Sequence, residues 1–451
     1  MRIAFFEDSL ATNFAPLTLT RPAFELLCGQ FSARERGLRF LDVTEWGAFL
    51  RSSLVDVYKE EHPEARVNDW VWLARQRTLL VNGRWLATGE GIEQALKAPD
   101  ECVGRCGNEI AFMWLEQDEA PLLDELHWDE NLARLASTRQ SVAVDGVMVQ
   151  RLWDLIDCNS DVLCADISRR PVPQSQTPMG PHVPLSPHTA IGPQGKLGHH
   201  VAILGDAANV FVDPTASIDP FVVIDARQGP VFIDVGVKVQ AFTRLEGPCH
   251  IGAGTQLFRA NVKAGTSIGP VCRIGGEIEA SIIHGYSNKY HDGFLGHSYV
   301  GSWVNLGALT SNSDLKNDYS NVKVPVCGEL VDSGSPKVGC FIGDHTKTAI
   351  GTLFNTGSSI GVMSMVLPGG ELCPKHIPSF CRVWHGGLDE HFDLESGITT
   401  ASRAMGRRNK ELTAAQNRLL RQLYQQTTDE RQHAFDRQHA KRRGHRHAEK
   451  V

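Results

Sequence analysis

Residues 251–275 read Ile251-Gly-Ala-Gly-Thr-Gln-Leu-Phe-Arg-Ala-Asn-Val-Lys-Ala-Gly-Thr-Ser-Ile268-Gly-Pro-Val-Cys-Arg-Ile274-Gly275. An aliphatic residue followed by glycine returns in this stretch at intervals of about six residues, or about three times six. In such a hexad the aliphatic side chain points inward from a short flat strand, and the small residue fits a tight corner. Because three hexads close one triangular coil, the stretch predicts a left-handed parallel β-helix of hexapeptide repeats.

The same pattern runs from about Ile191 to Pro374. An aliphatic residue followed by glycine or aspartate recurs at Ile191, Leu197, Val212, Ile218, Ile224, Leu295, Ile342, Ile350 and Ile360. A β-sandwich is the alternative, but its strands need period-two patterning and no small residue behind each aliphatic one. Two segments interrupt the repeat. Residues 280–294 form a short one, and residues 311–336 form a polar one that is long enough for a binding arm.

The rest of the chain divides around this repeat. Apolar runs alternate with amphipathic stretches from Met1 to about Asp166, which indicates an α/β layer with a largely parallel sheet. Residues 170–184 are too rich in proline for a helix or a central strand. The predicted units are therefore an α/β domain at 1–168, a linker at 169–187, the β-helix at 188–385 and a charged carboxy-terminal segment at 386–451.

Helical spacing of apolar residues in the last segment predicts a helix, followed by a frayed basic tail. The basic residues of the tail are interpreted as solvent-exposed charges and not as a binding site for nucleic acid or a membrane. The apolar positions are Leu412, Leu419, Leu420 and Tyr424.

Composition narrows the class of partner. The 451 residues carry a formal charge of −7, which favours small-molecule ligands over nucleic acid. Eleven scattered cysteines are interpreted as free thiols in a reducing compartment. Acidic residues near Met1 and the lack of a long apolar run indicate a cytoplasmic protein without a membrane partner.

Several motifs together resemble a known family. The β-helix motifs are Gly285-Tyr-Ser-Asn-Lys-Tyr-His-Asp-Gly-Phe-Leu-Gly-His-Ser-Tyr-Val-Gly301, Trp303-Val-Asn-Leu-Gly-Ala-Leu-Thr310, Asn312-Ser-Asp-Leu-Lys-Asn317 and Ile342-Gly-Asp-His-Thr-Lys-Thr348. Weaker marks are Pro16-Leu-Thr-Leu-Thr-Arg-Pro22 and Trp153-Asp-Leu155. The chain resembles the bifunctional N-acetylglucosamine-1-phosphate uridylyltransferase/glucosamine-1-phosphate N-acetyltransferase family, and more closely its alternative sugar nucleotidyltransferase branch.

The resemblance implies acyl transfer from acetyl-coenzyme A to an amino-sugar phosphate such as glucosamine 1-phosphate, by a homotrimer. The family's catalytic histidine falls on His291, which would act as general base on the sugar amine. Its backbone donor to the oxyanion falls on Ala308. These two positions are 17 residues apart, close to one turn of the solenoid, so they should lie on adjacent coils.

Further residues are substrate-binding candidates, and each could instead stabilise a turn. They are Asn288, Lys289, Asn305, Asn312, Asp314 and Lys316, with Arg244, Arg259 and Arg273 as phosphate ligands. Leu309 stands where the family usually has glycine, which would reshape the acyl-donor channel. The role of the motif Asp344–Lys347 is not assigned by its chemistry.

The resemblance also implies a nucleotidyltransferase-like, Rossmann-like amino-terminal domain that binds a nucleoside triphosphate with Mg²⁺. The family's glycine-rich phosphate loop is missing between Phe6 and Ala23, and Asn82 replaces the metal-binding aspartate. Arg21, Asn82 and Arg84 are the remaining nucleotide-binding candidates. We therefore expect a degenerate or atypical domain.

Two other functions stay open. One is sugar-1-phosphate nucleotidyl transfer of the uridine diphosphate N-acetylglucosamine diphosphorylase type, with the β-helix as an oligomerisation platform. The other is a non-catalytic or zinc-binding trimer that uses His284, His291, His297 or His345.

Overall fold

A computed structural model describes residues 1–99, 101–168 and 200–448, with side chains up to residue 440. The predicted linker at 169–187 and the repeats at Ile191 and Leu197 lie outside the described residues. The domain boundaries given above remain predictions.

The amino-terminal domain is built around a seven-stranded sheet of order β10-β8-β9-β6-β1-β4-β5. Its pairs are parallel except those that β9 makes with β6 and β8, which confirms the α/β layer. The strands are β1 (Arg2–Phe6), β2 (Leu27–Cys28), β3 (Phe31–Ser32), β4 (Glu45–Phe49), β5 (Arg66–Val67), β6 (Thr78–Asn82), β7 (Trp85–Ala87), β8 (Cys102–Cys106), β9 (Glu109–Leu115), β10 (Gln140–Ala143) and β11 (Gly146–Met148).

Six α-helices accompany these strands in the described part of the domain. They are α1 (Ala33–Phe40), α2 (Val55–Glu61), α3 (Trp70–Leu73), α4 (Gly89–Lys97), α5 (Trp128–Ser137) and α6 (Leu152–Ser168). Helix α1 begins where Ser32 and Glu35 form a reciprocal capping box. Short 3₁₀ turns cover Ser9–Phe14, Leu17–Leu19, Ala23–Glu25, Ser52–Leu54 and Ala120–Leu122.

The strands after residue 200 mostly build a three-faced parallel β-helix, as predicted, and the few others pair antiparallel. They are β12 (Ala202–Leu204), β13 (Val210–Val212), β14 (Ser217–Ile218), β15 (Val223–Asp225), β16 (Val231–Ile233), β17 (Lys238–Val239), β18 (Arg244–Glu246), β19 (Cys249–Ile251), β20 (Gln256–Val262), β21 (Thr266–Ile268), β22 (Arg273–Glu279), β23 (Ile282–Ile283), β24 (Asn288–Lys289), β25 (Phe294–Gly296), β26 (Tyr299–Val300), β27 (Ser311–Asn312), β28 (Lys323–Val326), β29 (Glu329–Asp332), β30 (Cys340–Ile342), β31 (Lys347–Thr348), β32 (Leu353–Phe354), β33 (Ser358–Ile360), β34 (Met365–Leu367), β35 (His376–Ile377), β36 (Arg382–Trp384) and β37 (Gly387–Asp389).

The three faces follow from the strand pairing. Face 1 is the ladder β13-β16-β19-β21-β23-β26-β30-β33-β35. Face 2 contains β14, β17, the first halves of β20 and β22, β24, a bridge at Asn305, and then β31, β34 and β36. Face 3 contains β12, β15, β18, the second halves of β20 and β22, β25, β27 and β32. The aliphatic residues that are in register within these ladders point inward, and their side chains fill the solenoid interior.

Two details of the predicted repeat are wrong. Residues 280–294 are no insertion, because β23, β24 and β25 continue all three faces in register. Ile350 does not point inward, since it lies at a corner and is 77% exposed. The second interruption does leave the solenoid, and its strands β28 and β29 form an antiparallel hairpin, which we call the arm.

The outer side of face 1 is covered by the amino-terminal domain. Helix α6 packs along the strands β19, β21 and β26. Phe211 and Phe232 contact Leu163 and Ile167 of this helix. Asn159 of α6 donates to the Gly265 carbonyl and accepts from Ser267. Strands β13, β16, β19 and β21 of face 1 are therefore buried on both sides, which a solenoid face open to water would not be.

Three helices follow the solenoid: α7 (Leu394–Gly406), α8 (Ala414–Gln426) and α9 (Thr428–Ala448). Helix α8 packs on α2, so this segment joins the β-helix to the amino-terminal domain. The predicted frayed tail is wrong up to Ala448, because the backbone of the basic stretch continues α9. In the described part of the chain, every helix is too short or too polar to cross a membrane.

Candidate functional site

His291 lies at the surface, in a turn between faces 2 and 3. We call residues 290–293 the His291 corner. The His291 side chain is exposed, and its ring meets that of Tyr290 edge-on at a centroid distance of 4.8 Å. Within the described ranges the imidazole makes no hydrogen bond, so both ring nitrogens are open to a ligand. The ring is outside the solenoid wall, as a general base requires.

Ala308 lies at the corresponding corner of the next coil. The Leu309 amide donates to the Asp292 carbonyl at 2.8 Å, which stacks this corner directly against the His291 corner. The Ala308 carbonyl accepts from Gly351, whereas its amide donates no hydrogen bond among the described residues. In an earlier coil the equivalent corner contains Pro220, which has no amide hydrogen. Ala308 keeps a free donor one coil from the imidazole.

Two predicted substrate ligands point into the protein instead. Lys289 is 3% exposed, and its amine donates to the carbonyls of Gly275 and His291, each at 3.1 Å. Asn312 is 5% exposed and its amide group exchanges hydrogen bonds with the backbone of Gly296. Both side chains occupy inward positions of their hexads, so the substrate-binding prediction is wrong for them in this structure.

Other predicted residues do lie on the outer side of face 2. Asn288 donates to Asn305 at 3.2 Å and accepts from Arg408 at 3.0 Å. Arg273 is in register with Asn288 and donates to the Cys272 carbonyl. Burial lowers the pKa of Arg273, and the nearby Arg408 lowers it further. These polar groups form a row beside the segment that connects α7 and α8.

The arm forms a basic cleft at the opposite edge of face 3. Lys316, Lys323 and Lys375 line the cleft together with Ser320 and Asp332. Lys316 also pairs with Asp318 at 3.3 Å. Because face 3 separates this cleft from the His291 corner, one chain does not bring the two together.

Asp314 and Arg244 are engaged by other charges. Asp314 pairs with His297 at 2.8 Å. Burial alone would raise the pKa of Asp314, but the hydrogen bond and charge of His297, together with the charge of Lys337, outweigh burial and lower it. Arg244 pairs with Asp225 and Glu246, each at 2.6 Å. Neither group is free to hold a substrate without giving up its partner.

Arg259 is the predicted phosphate ligand that remains exposed near the site. It lies at a bulge of β20, two coils before the His291 corner. Its neighbour Phe258 contacts Tyr290 of that corner at a ring distance of 4.1 Å.

The four histidines of the zinc hypothesis do not converge. His284 bonds to Tyr299 and Leu27, and His297 bonds to Asp314. His345 stacks on Trp303, while His291 lies at a different corner. Across the described ranges no group of three His, Cys, Asp or Glu side chains could hold a metal ion.

The carboxyl ends of β1 and β6 form the switch point of the amino-terminal sheet, where nucleotides bind in open α/β folds. Asn82 donates to Asp8 at 2.9 Å, and Arg84, 1% exposed, binds Asp8 at 2.6 to 3.0 Å and also pairs with Glu109. Arg84 is thus neutralised and unavailable to a phosphate. Because its guanidinium already occupies both Asp8 oxygens, this site does not fit Mg²⁺.

Sequence reasoning missed Asp8 and Glu109 at this site. Asp8 directly follows the first strand, which was the available signal, whereas Glu109 reaches the site from an antiparallel neighbour strand.

Arg21 is also not a nucleotide ligand. Its guanidinium binds Asp344 at 2.5 Å and Ser302 at 3.2 Å, and Thr20 donates to the same Asp344 oxygen at 2.8 Å. The side chains of Arg21 and Asp344 are 13% and 6% exposed. Two motifs from opposite ends of the chain therefore meet between the amino-terminal domain and the β-helix.

Residues 3–170 match the family described as sugar nucleotidyl transferase. This match covers the amino-terminal domain. In this chain the matched segment is followed by a β-helix. A bifunctional sugar-1-phosphate nucleotidylyltransferase/acetyltransferase of Sulfurisphaera tokodaii is 37% identical over 93 residues, which is 21% of this chain and 23% of that protein.

The bifunctional protein GlmU of Acidithiobacillus ferrooxidans is 30% identical over 155 residues, 32% of this chain and 30% of that protein. The chain therefore spans less than a third of the length of these relatives. Among solved structures, an Arabidopsis UDP-N-acetylglucosamine acyltransferase matches 47% of this chain and 77% of its own, with 12% identity and a TM-score of 0.22. That score is too low to bear on function.

Proposed function

We propose that this protein is a transferase whose β-helix moves an acetyl group from acetyl-coenzyme A to the amine of an amino-sugar phosphate such as glucosamine 1-phosphate. The observation that supports this most is the pairing of an exposed imidazole with a free backbone amide on successive coils, at His291 and Ala308. The product would be a precursor for nucleotide-sugar and cell-envelope synthesis.

The chemistry follows from these two groups. The neutral imidazole of His291 accepts a proton from the sugar amine as its nitrogen attacks the thioester carbonyl. The carbonyl oxygen gains negative charge, and the Ala308 amide donates to it. Collapse of the tetrahedral intermediate forms the amide bond and breaks the carbon–sulfur bond. The imidazolium then returns its proton to the departing thiolate.

Phosphate recognition would use cations on both edges of face 3. Arg259 lies on the same side of the solenoid as His291, whereas Lys316 and its neighbouring lysines lie across the face. A second copy of the chain could bring its arm cleft to the His291 corner, which is a reason to propose a homotrimer. A row of exposed apolar residues along this corner of the solenoid favours such packing: Phe221, Phe242, Tyr290, Leu309 and Ile350.

The acyl-donor channel would pass Leu309. Its φ angle is 62°, a left-handed conformation that glycine adopts without strain. The side chain is 60% exposed beside the Ala308 amide. We propose that it narrows the space for the acyl group and so affects which thioester is accepted.

We further propose that the sugar nucleotidyl transferase domain is degenerate, because Arg84 fills the place of a metal ion beside Asp8. The family match over residues 3–170 favours a second candidate function, nucleotidyl transfer from UTP to a sugar 1-phosphate. Eleven free cysteines are consistent with a reducing, cytoplasmic location.

Two assays on the purified full chain test the proposal. One measures thiol release from acetyl-coenzyme A with glucosamine 1-phosphate, and the other measures pyrophosphate release from UTP with N-acetylglucosamine 1-phosphate. His291→Ala should reduce thiol release by about 100-fold or more, because a general base contributes roughly 10²–10⁴ in rate. His433→Ala, at an exposed histidine of α9, is the matched control. Full acyl transfer by His291→Ala would refute the proposal, and pyrophosphate release would support the second function.

A further inference from the structure

Lys289 occupies a position that neighbouring coils fill with an aliphatic side chain. The inward residues in register with it on face 2 are Val239, Leu257 and Ile274 on the preceding strands, with Leu306 on the following coil. All four are buried at 4% exposure or less. Only Lys289 introduces an ammonium group at this inward position of these coils.

The backbone makes room for this amine. Gly276 has a φ of 70°, and a Cβ atom there would lie 2.7 Å from the Lys289 Nζ. The amine donates to the Gly275 carbonyl of the preceding coil and to the carbonyl of His291. Burial lowers the pKa of Lys289 to about 8, while Asp292 and Glu277 oppose that shift.

Packing alone gives no reason for a lysine here. Removing an ammonium from water costs several kcal/mol, and buried ions can often be replaced by aliphatic residues without loss of stability. The interior would accept leucine, as it does one coil later at Leu306. The cost of Lys289 therefore points to a role at the backbone of His291, whose carbonyl is the second acceptor of the amine among the described residues.

The His291 corner has few other fixed points. On the side of the following coil, the Asp292 carbonyl accepts from the Leu309 amide, and the Phe294 amide donates to the Ser311 hydroxyl. On the side of the preceding coil, the Glu277 amide donates to the Gly293 carbonyl at 3.1 Å, and the Lys289 amine links the His291 carbonyl to the Gly275 carbonyl. The imidazole has no hydrogen bond within the described ranges, so its position depends on its own backbone.

We infer that Lys289 is a positioning residue that fixes the backbone of His291 so that the exposed imidazole faces the Ala308 amide. This inference rests on the proposed function. A displacement of about 1 Å in a reacting group can cost roughly 100-fold in rate, which sets the scale of the effect.

Lys347 provides a matched control variant. Its amine also donates to two corner carbonyls, those of Trp303 and His345, and burial lowers its pKa to about 8 as well. It is in register with Asn305 on face 2 but ties a corner that does not contain His291. Loss of each lysine therefore removes a comparable pair of hydrogen bonds at a different corner.

The experiment compares Lys289→Leu, Lys347→Leu and His291→Ala in the thiol-release assay, with the unfolding temperature of each. Lys289→Leu should lower kcat by about 10- to 100-fold, leave KM for both substrates within about twofold and not lower the unfolding temperature. Lys347→Leu should keep the wild-type kcat.

Two outcomes would overturn the inference: wild-type kcat in Lys289→Leu, or a parallel fall of kcat and unfolding temperature, which would make the role purely structural. If His291→Ala itself is fully active, the proposed function fails instead, whatever Lys289→Leu does.

Discussion

At the residue scale, His345 shows how burial between units fixes a protonation state. Burial, together with the charges of Lys347 and Arg21, lowers its pKa to about 3. An unfolded histidine titrates near pH 6.5, so the stability from the neutral ring is complete above that pH and is lost as the pH falls toward 3. The ring is held in the neutral form at neutral pH.

We therefore expect the unfolding temperature to fall between pH 7 and pH 5, and to fall less steeply in His345→Asn. Asparagine suits the position because the backbone of His345 has a φ of 61°, a left-handed conformation that asparagine adopts more readily than most residues. His284, whose pKa burial also lowers, keeps part of the slope in the variant. His391→Asn, at a side chain that is 83% exposed, should keep the whole wild-type slope. Equal slopes in all three proteins would contradict the role of His345.

The sequence predicted individual residues unevenly. The placement of His291 and Ala308 on adjacent coils could be predicted from their separation in the sequence, because each coil contains a nearly constant number of residues. Lys289 and Asn312 were predicted as surface ligands since their polarity suggests an outward direction, yet register places both inside. Arg84 was predicted to be free because no local pattern indicates Asp8 and Glu109 as its partners.

At the scale of elements, the arm is a packed hairpin with one buried side. Val322, Val324 and Val326 are 9% exposed or less and join a cluster with Trp153 and Phe341. Lys323 and Leu330 lie on the other side and are exposed. The arm is therefore held against both the solenoid and helix α6.

Val324→Ala should lower the free energy of unfolding by about 2 kcal/mol, because two buried methyl groups are lost and a cavity remains. Leu330→Ala, at a residue that is 62% exposed in the paired strand, should change it by less than about 0.5 kcal/mol. Denaturant unfolding of both variants measures the difference. Equal effects would mean that the valine side of the arm is not buried in solution.

The six-residue repeat predicted the strands of the β-helix correctly at this scale, because each strand and its corner are encoded within six residues. It failed at Ile350, where an aliphatic residue before glycine belongs to a corner. It also treated residues 280–294 as an insertion, because polar residues such as Asn288 hide the register that the strand pairing reveals.

At the scale of the whole molecule, the ion pair between Arg21 and Asp344 joins parts of the chain that are 323 positions apart. Asp344→Asn should lower the free energy of unfolding by about 3–5 kcal/mol, because it leaves Arg21 buried without a counter-charge. Arg418→Met is the control, since Arg418 and Asp56 also link two units but are 63% and 67% exposed. That change should cost at most about 1 kcal/mol. Similar losses in both variants, measured by denaturant unfolding, would contradict a buried interdomain pair.

No local pattern could have predicted this contact, because its partners are ordinary polar residues in separate motifs. The same holds for helix α6 on face 1, where only the outward phenylalanines of β13 and β16, Phe211 and Phe232, gave a hint.

The covering of face 1 by α6 has a thermodynamic consequence for self-association. Outward side chains of face 3, such as Arg244, Glu277 and Phe294, are only half-buried, so a neighbouring copy has its open approach on that side. If copies dock there, as the proposed homotrimer requires, they lie beside the His291 corner at the edge of this face. Ligand occupancy and subunit association then become linked equilibria, so that a molecule bound between the copies shifts the population toward the assembled form, and dilution of the protein weakens its apparent affinity.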